Sequence, residues 1–149
     1  MMIRNAAMPQ DRAGIMAGAH DFACRMSGAE LLPRDPAKFE AAVDRILGLP
    51  GVEVYVADRG RLAGAIGLMY APYLWNPDLA WADELFFWCA PDAPAATALR
   101  LIRHAEAQMR AHGVHGRSFA SLPSSPKSLE NVYSRMGLKP MQVTWAGAV

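Results

Sequence analysis

Between Val52 and Ala90 the sequence has room for little except three consecutive antiparallel strands. Val52, Val54 and Val56 alternate with Glu53, Tyr55 and Ala57, the period-two pattern of a half-buried strand. Asp58-Arg59-Gly60-Arg61 follows as a hairpin turn, and Leu62 to Tyr70 reads as the return strand. Pro72 to Pro77 is expected to be an aromatic loop. Ala80 to Ala90, rich in tryptophan and phenylalanine, is expected to be a strand covered on both faces. Strands of this kind need further elements packed against them, which the rest of the chain must supply.

The flanking segments have the period for it. Ile3 to Ala7 is a short opening strand. From Asp11, a candidate N-cap, Ile15, Ala19, Phe22 and Met26 recur at helical steps until Gly28. Gly14 and Gly18 inside this helix imply either a close-approaching backbone or a soft helix. Asp35-Pro36 opens a second helix with Phe39, Val43 and Ile46 on its apolar face. After Pro91 and Pro94 comes the longest helix, with Leu99, Ile102, Ala105 and Met109 as its buried stripe. Val114 to Ala120 reads as a strand, Ser125-Pro126 as the cap of a short helix closed by Gly137, and Met141 to Trp145 as a final strand.

The order gives an α+β sandwich rather than an alternating doubly wound sheet. A chain of 149 residues with 52% hydrophobic and 19% charged residues fits one folded domain, 1–149. A net charge of +1 provides no field for nucleic acid or anionic lipid. The longest apolar run, Leu62 to Leu74, is too short and too broken to span a bilayer. Met1 to Asp11 has no charged stretch leading into an apolar one, so a cytoplasmic location is expected. Cys24 and Cys89 have no metal-ligand spacing. Two buried thiols are the preferred reading over a disulfide, and no metal site is expected.

Three local sequences carry a resemblance. Ile3-Arg4-Asn5-Ala6 with Asp11, Glu84-Leu85-Phe86-Phe87-Trp88-Cys89-Ala90-Pro91, and Tyr133-Ser134-Arg135-Met136-Gly137-Leu138 occur in the order and spacing of three motifs of the GNAT superfamily of acyl-coenzyme A N-acyltransferases. The stretch Asn76-Pro77-Asp78-Leu79 to Glu84-Leu85 resembles a branch of it often carried by phages. The resemblance implies a mixed, mostly antiparallel central sheet flanked by helices. It also implies transfer of an acetyl group from acetyl-coenzyme A, the acyl donor, to a primary amine. The expected partners are therefore acetyl-coenzyme A and an amine acceptor, with a homodimer left open.

Residue roles follow from the same resemblance. Tyr133 stands where the family's general acid stands, and Glu84 is the candidate base. The bland alternatives are a core aromatic for Tyr133 and an ion pair to Arg4 or Arg61 for Glu84. The backbone of Phe87, Trp88 and Cys89 would anchor thioester and pantetheine. The family's R-x-x-G-x-[GA] pyrophosphate loop is worn: this chain has Ala93-Pro94-Ala95-Ala96-Thr97-Ala98 there, with neither the arginine nor the glycines. Ala95, Ala96, Thr97 and Ala98 are still expected to offer amides to the pyrophosphate, aided by the Thr97 hydroxyl and the helix dipole. The rival reading is a protein of this fold that has lost coenzyme A and acts as a binding or assembly module. Arg100 and Arg103 could also reach phosphate. Tyr70, Tyr73, Trp75 and Trp81 could line an acceptor pocket.

Overall fold

The valine alternation is realised as β2 (Val52–Asp58), whose two faces receive separate helical layers in the computed structural model. The structure describes residues 1–26, 30, 32–122 and 124–141. Around β2 the elements run β1 (Met2–Asn5), α1 (Arg12–Arg25), α2 (Pro36–Leu47), β2, β3 (Leu62–Tyr73), β4 (Asn76–Cys89), α3 (Ala96–Ala111), β5 (Gly116–Ser118) and α4 (Lys127–Arg135). The described strands form one sheet in sequence order, antiparallel except for the parallel pair β4–β5. The expected last strand over 141–145 lies, from residue 142 on, outside the described residues.

Tyr55, Ile66, Leu68 and Ala82 turn to one face and meet Leu101, Ala105 and Met109 of α3. Ile102, Ala105 and Met109 of the expected α3 stripe are buried, and Leu101 is fully buried where Leu99 is only half so. Val56, Ala65 and Phe86 turn to the other face and meet Ile15 of α1, with α2 held against α1 through Val43 and Met16. Ile46 is largely exposed and Leu47 packs in its place.

The glycines of α1 explain how closely this layer sits. A Cβ on Gly18 would lie 2.6 Å from the Trp88 ring, and one on Gly14 would lie 2.7 Å from Leu62. Side chains approach these positions, not a neighbouring backbone. The helix gives up propensity there so that an indole can lie on its surface.

Capping differs at two of the expected places. Asp35 caps α2 as expected, its Oδ1 accepting from the Ala37 amide at 3.0 Å. Asp11 stands at the start of α1, but its carboxylate turns back to accept from the Ala7 amide at 2.6 Å and from both Arg4 terminal nitrogens. Arg4 also reaches Asp58 at 2.7 Å, tying β1, β2 and α1 together. Ser125 does not cap α4; its hydroxyl accepts from the Leu122 amide and closes the preceding turn. Cys24 is exposed and Cys89 half-buried, both as free thiols. The expectation of two buried thiols therefore fails at Cys24, which falls on the solvent side of the last turn of α1.

The expected aromatic loop is also corrected. Pro72 and Tyr73 belong to β3, Asn76 and Pro77 to β4, and only Leu74 and Trp75 remain as the turn of a long hairpin. Both are about four-fifths exposed, at 79% and 81%. β4 is sandwiched between helices only in its second half; its first half extends as this hairpin arm.

Candidate active site

The site begins with an irregularity in β4. Gly67 faces Phe86, yet the next residue of β3, Leu68, faces Glu84. Leu85 is therefore the extra residue of a β-bulge, and side-chain alternation resets there. In a regular strand of the same length Glu84 would fall on the face of Phe86 and Trp88, against α1. With the bulge, Glu84 shares the α3 face with Phe87, whose partner Ile66 is in the same core as Leu68. Asp83, opposite Met69, points to the other face.

The same place is where β4 and β5 part. They pair only at Trp81–Gly116, Ala82–Arg117 and Asp83–Ser118. From Glu84 to Cys89, β4 is paired with β3 alone among the described residues. Its outer edge from Glu84 to Cys89 therefore has no strand partner among the described residues. Past it, the Ala93 amide donates to the Ala90 carbonyl at 2.9 Å, and that turn delivers the chain to the N-terminus of α3.

Tyr133 stands beside Glu84 at this edge. Gly137, at φ +78°, closes α4, with the Leu138 amide donating to the Tyr133 carbonyl at 3.0 Å. The buried Tyr133 hydroxyl donates to the Ala120 carbonyl at 3.1 Å and lies 3.5 Å from Glu84 Oε2. Burial pushes the Glu84 carboxyl up to about 8, against the opposing pull of the Ala120 backbone and the Tyr133 hydroxyl. Burial, and after it the neighbouring Glu84 charge, holds the Tyr133 phenol well above its ordinary value, so it keeps its proton. The ion pairs considered for Glu84 do not form: Arg4 is engaged by Asp11 and Asp58, and Arg61 by Asp92.

By sequence, no family model and no curated protein matches the chain. By structure, it resembles a transcriptional regulator from Bacillus halodurans C-125, at 18% identity over 99% of both chains with a TM-score of 0.76. It also resembles a ribosomal-protein-alanine N-acetyltransferase from Brucella melitensis biovar Abortus 2308, at 13% identity over 100% of both chains with a TM-score of 0.73. An acetyltransferase from Trypanosoma brucei matches at 18% identity over 99% of both chains, TM-score 0.65. The chain has the GNAT fold.

Within the GNAT fold, the remaining expected residues separate into those with something to offer a ligand along this edge and those without. Phe87 packs on the α3-side core and Trp88 on α1, so each has only its backbone to offer. The half-buried Cys89 thiol is pushed up to about 11 by burial, so it is a packing group and not a nucleophile. Ala95 and Ala96 are exposed at the start of α3 and Ala98 is half-buried, with amides that open the helix.

Thr97 is the correction. Its side chain is fully buried with the hydroxyl against Met1 Sδ at 3.3 Å, and its amide donates to the Pro94 carbonyl at 2.8 Å. Its hydroxyl cannot face a ligand at the helix N-terminus. The helix turn that exposes Ala95 and Ala96 drives position 97 inward. Arg100 and Arg103 also turn away. With Met1, Met2, Ile3 and His104 they line an open depression of about 550 Å³ beside β1, the sheet edge opposite β5.

The four aromatic candidates divide likewise. Tyr70 lies on the α3 face against His112, ring centroids 4.2 Å apart, and Trp75 sits at the exposed hairpin tip. Tyr73 and Trp81 stack at 4.5 Å.

Sequence reasoning missed two groups here. The Ala120 carbonyl that orients Tyr133 carries no side-chain signal. Arg117 of β5 donates to the Met136 carbonyl at the end of α4 at 3.0 Å and pairs with Glu106 of α3 at 2.6 Å. It thereby holds the helix that carries Tyr133.

Proposed function

We propose that this protein transfers an acetyl group from acetyl-coenzyme A to a primary amine. Glu84 is the base and Tyr133 the acid. The observation that carries the reading is the meeting of these two groups, from β4 and α4, at the point where β4 and β5 separate. An acetyl thioester lying along the β4 edge that is unpaired among the described residues would put its carbonyl beside both.

In this mechanism the amine nitrogen attacks the thioester carbonyl carbon and gives its proton to the Glu84 carboxylate, directly or through water. The tetrahedral intermediate collapses with cleavage of the C–S bond. Tyr133 donates its proton to the departing sulfur, and Glu84 returns the one it took to the phenol. The products are the acetamide and the free thiol, and both side chains end as they began. A carboxyl raised to about 8 suits this work, because its proton affinity matches an operating pH near neutrality.

The pyrophosphate end of the site is thin. Pro91 and Pro94 have no N–H, the Thr97 amide serves a turn, and no arginine fork is present in the loop. Ala95, Ala96 and Ala98 would hold the pyrophosphate with amides and the helix dipole alone. Weak but real donor binding is therefore expected.

The deciding measurement is thermal unfolding with acetyl-coenzyme A and, as control, acetyl-pantetheine. A ligand held a hundredfold above its Kd stabilises by about 2.7 kcal/mol, a shift of several degrees for a chain of this size. Shifts with both ligands, larger with the coenzyme, support the reading. No shift and no calorimetric heat with either would leave a GNAT-fold binding or assembly module.

A further inference from the structure

We propose that Asp83, framed by Trp81, Ser118 and Tyr73, anchors a cationic group of the acceptor. The acceptor class is then a small amine that carries a second positive charge. This rests on the acetyl-transfer reading for its place in catalysis, but it stands on its own geometry.

Asp83 is the last residue of β4 paired with β5 before the strands part, one position before Glu84 and on the opposite face. Its surroundings are built. Oδ1 accepts from the Trp81 indole N–H at 2.9 Å and from the Ser118 hydroxyl of β5. Both donors lie on the same oxygen, so the carboxylate is fixed in orientation while Oδ2 has no partner among the described residues. No lysine, arginine or histidine pairs with it there either. A half-buried carboxylate that is oriented by neutral donors and left without a counter-ion is suited to a cation from outside.

The ground beside it is aromatic. Trp81 occupies the space above Gly116, where any Cβ would collide with its ring, and Tyr73 stacks on it. The α1-side core ends at Leu85 and Phe86. Tyr73, Trp81 and Asp83 lie beyond it, half-buried on the hairpin arm. An ammonium seated on Oδ2 would have this aromatic wall alongside, a favourable pairing of cation and π-face. A second amine on the same molecule could then reach through the fork between β4 and β5 toward Glu84. An acidic acceptor would instead meet an uncompensated carboxylate.

The test compares diaminobutane with butylamine, probes of one length that differ by one charge. Dissociation constants come from calorimetry without donor, and kcat/KM from turnover with acetyl-coenzyme A. The wild-type protein should prefer the diamine by about tenfold or more in both measurements. Asp83→Asn retains an oxygen for Trp81 and Ser118, so it should fold, and it should abolish the preference while leaving the acetyl-coenzyme A thermal shift unchanged. Tyr73→Ala, on the projecting arm, should reduce it severalfold and serves if Asp83→Asn does not fold.

No preference in the wild type, or a preference that survives both substitutions, overturns the proposal. Asp83-dependent diamine binding without any donor binding would keep this subsite and remove the acetyl-transfer reading. Equal acetylation of both amines would do the reverse.

Discussion

Replacing Glu84 by glutamine should make the protein more stable, and only on the alkaline side. The native carboxyl is raised from an ordinary 4.5 to about 8, chiefly by burial. Between those values the folded chain holds a proton that the unfolded chain releases, so wild-type stability falls as pH climbs through that window and levels off above it. At 1.36 kcal/mol per pH unit the loss is at most roughly 5 kcal/mol; because Glu84 is only half-buried, we expect about 2–3 kcal/mol. Glutamine keeps the shape and a hydrogen-bonding oxygen toward Tyr133 but has no charge to desolvate. Urea denaturation of both proteins from pH 5 to pH 9.5 reads this directly. The two curves should nearly coincide at about pH 5 and diverge to that margin by about pH 9, with unchanged m. Parallel curves across the range would refute the argument, since Glu84 would then not be a carboxyl held out of water. The stabilised variant should also lose turnover, the usual trade at a site kept for chemistry.

Tyr133→Phe should bind acetyl-coenzyme A as the wild type does and lower kcat by about a hundredfold; unchanged kcat would reduce Tyr133 to packing. Gly18→Ala should destabilise by about 1–3 kcal/mol in urea, because the new methyl meets the Trp88 ring. A gain of stability there, as helix propensity alone would give, would show that the indole can move aside. Arg117→Met should lower kcat well beyond its effect on donor affinity, since Tyr133 would lose its support, and Arg117→Lys should recover part of it. Equal changes in kcat and in donor affinity would make Arg117 a stabilising residue only.

The sequence made the sheet legible where pattern and burial coincide. The valines of β2 and the hairpin at Gly60 are strong periodic and conformational signals, although β2 is buried on both faces, Tyr55 and Ala57 included, where its alternation predicted one. Less legible were features decided by neighbours distant in sequence. Asp11 has the chemistry of an N-cap, but Arg4 competes for its carboxylate and wins with a charge-assisted fork. Thr97 has a hydroxyl that suits a phosphate, and only its place one turn before Leu101 on the buried face of α3 sends it inward. Glu84 and Tyr133 could be named from local motifs, whereas their separation of 3.5 Å depends on Arg117, Ala120 and the turn at Gly137, none of which announces itself. Asp83 stayed hidden because a carboxylate in a strand has no signature until its donors on β4 and β5 are seen.

The extra residue at Leu85 gives β4 two phases. Before it, odd-numbered side chains face α1 and even-numbered ones face α3; after it the parity is inverted. The two carboxylates, neighbours in sequence, fall on opposite faces by plain alternation, and the bulge decides which of them shares a face with Phe87 and not with Phe86. Deleting Leu85 would set Glu84 directly beside Phe86 and still opposite Leu68, so both carboxylates would keep their faces and only the kink of the bulge would be lost. A one-residue slip of the arm at constant length is what would turn Glu84 toward α1 and Asp83 toward Tyr133, so the bulge acts as a stop against that slip.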